Sequence, residues 1–204
     1  MIRRLIILLL LSLSMGQNSW VFVANEGNFS SSNGTISMID ELGNIYETEP
    51  IGDIVQSTCL AHDIGNPPFG HTGEEAIKSW FSSKGSDFLR GMSPQEKNDL
   101  CCFEGNAQGL RVLTSVENHI NEGGMRLTYA TLSSFIKYPW TSLPAQEGKR
   151  PKKDKYGVFT SELEIFHEIA NEVGLISREG DDWYCRHPLV HLMESADDFC
   201  YGIL

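Results

Sequence analysis

The residues with the most chemistry per unit length lie between 62 and 74, in the stretch His62-Asp63-Ile64-Gly65-Asn66-Pro67-Pro68-Phe69-Gly70-His71-Thr72-Gly73-Glu74. An adjacent histidine and aspartate can offer one imidazole nitrogen and one carboxylate to a single divalent ion. Such a mixed nitrogen and oxygen donor set suits Mn2+, Fe2+ or Mg2+ better than a closed zinc site. A bare His-Asp pair is a frequent dipeptide, so the residues around it have to give it meaning. A second charged feature is the basic cluster of Lys149, Arg150, Lys152, Lys153 and Lys155. It reads first as a solvated loop, and functionally as a contact for a polyanion such as a triphosphate or a nucleic acid effector.

The elements that must position these residues are helical. Cys59, Leu60 and Ala61 run into His62-Asp63, and Gly65-Asn66-Pro67-Pro68 must break any helix there. Four helical segments are expected. Thr72-Gly73-Glu74-Glu75 has the form of a capping box, followed by Ala76, Ile77, Trp80 and Phe81 on one face. Ser93-Pro94-Gln95-Glu96 is a second box, with proline at the first helical position, leading into a helix that runs to about Asn118. Ser161-x-x-Glu164 opens a third, with an apolar stripe of Leu163, Phe166, Ile169, Ala170 and Val173. The last begins near His187-Pro188 and carries Leu189, Leu192, Met193, Ala196, Phe199 and Ile203.

Upstream the character differs. Arg3 and Arg4, the apolar run 5–11, and then Ser12, Ser14 and Gly16 make residues 1–16 resemble a secretory signal, too short to span a membrane. Residues 17–57 read as β-rich. Residues 20–24 are a strand candidate, 34–40 alternate with period two, Asn33-Gly34 and Leu42-Gly43-Asn44 are turn signals, and 45–48 form a return strand. The phrase from Val21 to Gln56 resembles the opening of exported bacterial β-propeller proteins, with about one blade's worth present. A lone unit of that size cannot bury its own faces. The abrupt change near residue 57, without a Gly, Ser or Pro linker, points to a junction of two unrelated sequences. Three segments are therefore expected: 1–16, 17–57 and 58–204.

Apolar content of 41% and charged content of 21% fit a globular protein. A formal charge of −11 argues against a nonspecific nucleic-acid binder. The five cysteines, at 59, 101, 102, 185 and 200, include no C-x-x-C pair, and their odd number argues against a disulfide framework.

The stretch 62–74 resembles, almost residue for residue, the His-Asp-x-Gly-Asn-Pro-Pro-Phe-Gly-His-x-Gly-Glu signature of bacterial dGTP triphosphohydrolases within the HD superfamily. Collinear matches follow: Phe103-Glu104-Gly105-Asn106-Ala107-Gln108 with Arg111, Leu127-Thr128-Tyr129-Ala130-Thr131, and Lys137-Tyr138-Pro139. The series closes with His187-Pro188-Leu189 and Ala196-Asp197-Asp198-x-x-Tyr201. The resemblance implies a mainly α, HD-domain helical fold, present in part, after the short β-rich N-terminal segment. It implies metal-dependent hydrolysis of dGTP, or other dNTPs, to a deoxynucleoside and triphosphate. His62, Asp63 and Asp197 would be ligands of the divalent ion, Mn2+ or Mg2+ with Fe2+ as the alternative. His71 and Glu74 would be the catalytic pair, acting near the attacking water or the α-phosphate. Asp197 and Tyr201, at i and i+4 on one helix, can face one pocket. Lys137 would pair with phosphate oxygens, and Tyr138 and Tyr201 would pack on the sugar, a tyrosine there excluding a ribose hydroxyl. Asn106 and Arg111, with Asn66 and Glu104, would be substrate or supporting contacts. Asp198 would point about 100° away from Asp197, and His119, His167 and His191 lack a partner pattern.

The family site also takes a histidine from upstream, and no histidine precedes His62. The chain stops three residues after Tyr201, where the family continues, so a partial site with impaired activity is expected. The nucleotide pool implies a cytoplasmic location, in conflict with the export signal. Homo-oligomerisation is expected, a nucleic acid effector has no support, and no membrane span is expected. The competing reading is a fragment of an exported β-propeller-type surface or binding protein with a non-catalytic helical remainder. Generic HD cyclic-nucleotide phosphodiesterases lack the Pro-Pro-Phe-Gly-His and Lys-Tyr-Pro elements.

Overall fold

A computed structural model describes residues 11–15, 18–25, 35–39, 45–117, 120, 124–142, 155–178 and 182–203. The expectations for residues 1–10, for the turns at 33–34 and 42–44, for His119 and for Lys149, Arg150, Lys152 and Lys153 fall outside these residues. The chain divides into two units, Met1–Gln56 and Ser57–Leu204.

In the first unit, β1 (Leu11–Met15), β2 (Asn18–Asn25), β3 (Thr35–Ile39) and β4 (Ile45–Thr48) pair antiparallel in the order β1-β2-β3-β4. Leu11 lies opposite Phe22, Val21 opposite Ile39, and Met38 opposite Tyr46. The period-two stretch and its return strand are β3 and β4. β1 arises in the segment read as the end of a signal, where Leu11-Ser12-Leu13-Ser14 itself alternates with strand period.

The remainder is helical, in keeping with an HD-type fold. The helices are α1 (Glu49–Ala61), α2 (His71–Ser82), α3 (Pro94–Cys101), α4 (Gly105–Arg111), α5 (Tyr129–Phe135), α6 (Leu163–Glu172) and α7 (Val190–Ile203). A π turn, Val112–Val116, continues α4, and 3-10 turns occupy Ser86–Leu89 and Thr160–Glu162. No helix among the described residues is long and apolar enough to cross a membrane.

The capping signals met mixed outcomes. At α3 the box is present: Glu96 N–H donates to Ser93 Oγ at 3.2 Å, and Ser93 N–H donates to Glu96 Oε2 at 2.7 Å. Those bonds to Ser93 hold the Glu96 carboxyl below its usual range. The other two boxes do not cap. α2 starts at His71 after Gly70, whose φ is 54°, so Thr72 lies inside the helix. Ser161 sits in a 3-10 turn, and α6 begins at Leu163 without a side-chain cap. The single helix expected from 94 to about 118 is also broken. α3 ends at Cys101, and Glu104 is extended, with φ −136° and ψ 124°. That turn carries the fully buried Glu104 side chain inward to Lys155, 51 positions away, a tertiary demand that overrides helical propensity.

The main core joins Leu110 and Leu113 to Leu132, Phe135 and Ile136 of the α5 region and to Phe166 and Ile169 of α6. Each such side chain contributes about 1.5–3 kcal/mol by leaving water. An aromatic cluster of Tyr138, Trp140, Tyr156, Phe159 and Trp183 packs around Ala107 of α4. Between core and site lies a glycine seam. A Cβ on Gly65 would come within 2.1 Å of Gly109 N and 2.2 Å of Gly105 O, and one on Gly109 within 2.6 Å of the Phe135 ring. The loop that follows His62-Asp63 therefore rests directly on the α4 backbone.

Candidate active site

α1 ends at Ala61 and the chain turns through His62 and Asp63, which border a cavity of about 400 Å3. His62 Nδ1 lies 2.7 Å from the Cys59 carbonyl oxygen. A carbonyl only accepts, so Nδ1 carries the proton and Nε2 is the nitrogen left for other partners. Nε2 is 3.4 Å from Asp63 Oδ2 and 3.3 Å from Asp197 Oδ1 of α7. A neutral ring would thus aim a lone pair at two carboxylates. A proton or a metal cation between them makes the arrangement favourable. Two donors bound to one ion at about 2.0–2.2 Å lie roughly 3–3.4 Å apart, so donor types and both spacings fit. The fit is pairwise: among the described residues no three His, Cys, Asp or Glu side chains form a group arranged to hold a metal ion.

Across the cavity, His71 opens α2 with a largely exposed ring, and Glu74 one turn later is buried. His71 Nδ1 is 3.0 Å from Glu74 Oε2, Gly105 N–H donates to Glu74 Oε1 at 2.9 Å, and Lys155 Nζ is 3.7 Å from Oε2. Burial pushes the Glu74 carboxyl up. The His71 hydrogen bond, the Gly105 N–H and the Lys155 charge outweigh it and hold Glu74 below its ordinary 4.5. An ionised Glu74 accepts from Nδ1–H and leaves His71 Nε2 as the nitrogen for acid–base work.

Lys155 is itself anchored. Its ammonium lies 2.8 Å from Glu104 Oε2 and 3.1 Å from Oε1, and Asn106 Nδ2 donates to Oε1 at 2.6 Å. Burial pulls the Lys155 ammonium down, but the bond to Glu104 and the charges of Glu104 and Glu74 raise it above its ordinary value. Lys137 Nζ lies 3.3 Å from Glu194 Oε1, whose other oxygen accepts from Arg186 Nη1 at 3.0 Å. The Arg186 guanidinium stands 5.4 Å from the Tyr138 ring.

Around the one cavity the structure thus brings together His62, Asp63, Asn66, His71, Asn106, Lys137, Tyr138, Asp197 and Tyr201, with Glu74 directly behind His71. Tyr138 is buried and Tyr201 is exposed. Arg111 is not brought to it. Its Nε donates to both Glu162 oxygens at 3.1 and 3.2 Å, it bonds Ser161, and it stacks 4.5 Å over Phe159. Lys155, of the basic cluster read as a solvated loop or a polyanion contact, also lines the cavity, a place its spacing alone did not assign. The signal for it was the aromatic and apolar run that follows, Tyr156 to Phe159, which marks where that loop re-enters the core. His167 pairs with Asp182 at 2.9 Å, away from the cavity.

The helical fold fits the HD type. No protein-family model matches the chain. It is, however, 52% identical over 166 residues to a deoxyguanosinetriphosphate triphosphohydrolase-like protein of Pseudomonas aeruginosa, covering 81% of this chain and 37% of that protein. A protein of the same description from Synechocystis is 48% identical over 167 residues, 78% of this chain and 38% of its own length. The deoxyguanosinetriphosphate triphosphohydrolase of Cronobacter sakazakii is 34% identical over 184 residues, 76% of this chain and 34% of its own. The chain is thus a partial relative of the dGTP triphosphohydrolase-like proteins, spanning little more than a third of the length of those it matches. A match over 81% of the chain is longer than residues 58–204, so the similarity begins upstream of the division expected from composition. None of these similarities supports the propeller resemblance.

Proposed function

We propose that the unit Ser57–Leu204 carries the chemistry of a metal-dependent dNTP triphosphohydrolase, converting dGTP or another dNTP to deoxynucleoside and triphosphate. The observation that carries this reading is the orientation of His62, whose Nε2 is turned toward two carboxylates on the same cavity as the His71–Glu74 pair. In this reading His62, Asp63 and Asp197 hold a divalent ion, Mn2+ or Mg2+. Such an ion, when bound, supplies charge neutralisation at the phosphate and a more acidic water.

The remaining roles fall to the chain's own groups. Glu74 fixes the tautomer of His71. His71 Nε2 then takes a proton from water attacking the α-phosphorus, or gives one to the 5′ oxygen as it leaves. Lys137, at the cavity wall, is released from Glu194 to pair with phosphate oxygens. Asn106 and the rings of Tyr138 and Tyr201 hold the sugar. Arg111 braces α4 against the turn Thr160–Glu162. The substrate of this reading is the cytoplasmic nucleotide pool.

The purified chain incubated with Mn2+ and dGTP and assayed for inorganic triphosphate tests this reading. Expected is release that needs the metal and stops with a chelator. A chain that neither binds Mn2+ nor releases triphosphate sinks it.

A further inference from the structure

Glu104 is the least expected charge in the molecule. Its side chain has 0% exposure, and a buried carboxylate is costly unless it is paired and hydrogen-bonded. Its partners all lead toward the cavity. The turn that carries it reaches Glu74 twice: Gly105 N–H donates to Glu74 Oε1, and Glu104 holds the Lys155 ammonium 3.7 Å from Glu74 Oε2. The backbone of Lys155 is fixed as well, because Trp140 Nε1–H donates to its carbonyl at 2.5 Å. A Cβ on Gly105 would lie 2.9 Å from Glu74 Oε1, so the turn and the carboxylate are in direct contact.

We propose that Lys155 is a positioning residue for the His71–Glu74 pair, its ammonium standing against Glu74 so that the carboxylate stays charged and His71 keeps its proton on Nδ1, with Glu104 as the counter-charge of that ammonium. The functional meaning of this rests on the catalytic reading of that pair; the arrangement itself does not. The groups facing Glu74 are His71 from α2, the Gly105 N–H from α4 and Lys155, with Glu104 behind the lysine. Removal of the lysine charge takes away a favourable neighbour of the Glu74 anion. Neutralising Glu104 while Lys155 remains leaves that cation uncompensated and favours the anion further.

The test is an NMR titration of the Glu74 carboxyl carbon in the full chain labelled with 13C-glutamate, assigned by its loss in Glu74→Gln. Lys155→Met is expected to move the midpoint up by about one pH unit. Glu104→Gln is expected to move it down by a smaller amount. Opposite signs separate positioning from simple support of the fold, since a loosened site drifts toward the ordinary carboxylate value in both variants. If either single variant fails to fold, the double variant Lys155→Met/Glu104→Gln leaves neither of these two charges unpaired, and its midpoint is expected to rise, the lysine being the nearer charge. Single-variant shifts of the same sign, or no shift in the variants that fold, overturn the proposal. No turnover is needed, so the expected shifts in a chain that releases no triphosphate would leave the positioning standing and remove the proposed hydrolysis.

Discussion

The two sides of the cavity use the same kinds of side chain in opposite electrical states. On the α2 side, Glu74 and Glu104 are buried, and Lys155, Asn106 and the Gly105 N–H answer them. On the α1–α7 side, Asp63 and Asp197 share one imidazole nitrogen, and His62 is the ion-pair partner of both among the described residues. The first side is balanced from within. The second sets two carboxylates against one ring. In the proposed hydrolase, the balanced side would hold the base and the unbalanced side would take the metal.

The comparison breaks most visibly if the second side is cut. Asp197→Ala should weaken Mn2+ binding by about 100-fold or more and abolish triphosphate release; isothermal titration calorimetry with Mn2+ reads the first effect. Unchanged Mn2+ affinity would mean that Asp197 is not a ligand. Cutting the first side should spare the metal. Glu74→Gln is expected to lower kcat by about 10²–10³-fold, with Mn2+ affinity within about twofold of the parent, and equal losses in both would show that the two sides are not separable.

A smaller effect distinguishes the sides by pH. Glu74 is held below 4.5 in the folded protein, so it binds its proton less readily there than in the unfolded chain. Its contribution to stability is complete above 4.5 and is lost as the pH falls through the depressed folded value. Thermal unfolding followed between pH 6 and pH 3 should show this loss, and Glu74→Gln should flatten that part of the curve. The smallest effect serves as the control. Ser93→Ala removes a cap remote from both sides and should cost about 1 kcal/mol in denaturant unfolding, with Mn2+ affinity and kcat unaltered.

The chemistry was legible in the sequence where it is local. His62 to Glu74 sit in one short loop and turn, so their spacing alone announces the cavity, and the α3 capping box depends on residues only three apart. Features that depend on distant partners were not legible. Nothing around residue 104 signals that its carboxylate meets a lysine 51 positions away, so the helix was carried straight through the turn that buries it. The motif that names Arg111 likewise gives no sign of its partners Glu162, 51 positions away, and Phe159. Residues 49–57, which composition placed in the β-rich segment, lie in α1, with Pro50 in its first turn. Proline costs nothing at a helix's first turn, where its missing N–H has no partner to lose.

The glycine seam has a mechanical consequence. With no side chain on Gly65, Gly105 or Gly109, nothing compressible separates the His62-Asp63 loop from α4, and the Phe135 ring abuts Gly109. A shift of the loop by a few tenths of an ångström, as an ion drawn to Asp63 would impose, has no soft contact in which to dissipate. It passes through α4 into the ring of a core phenylalanine. Occupancy of the cavity should therefore be readable from the resonances of Phe135, a residue buried in the core.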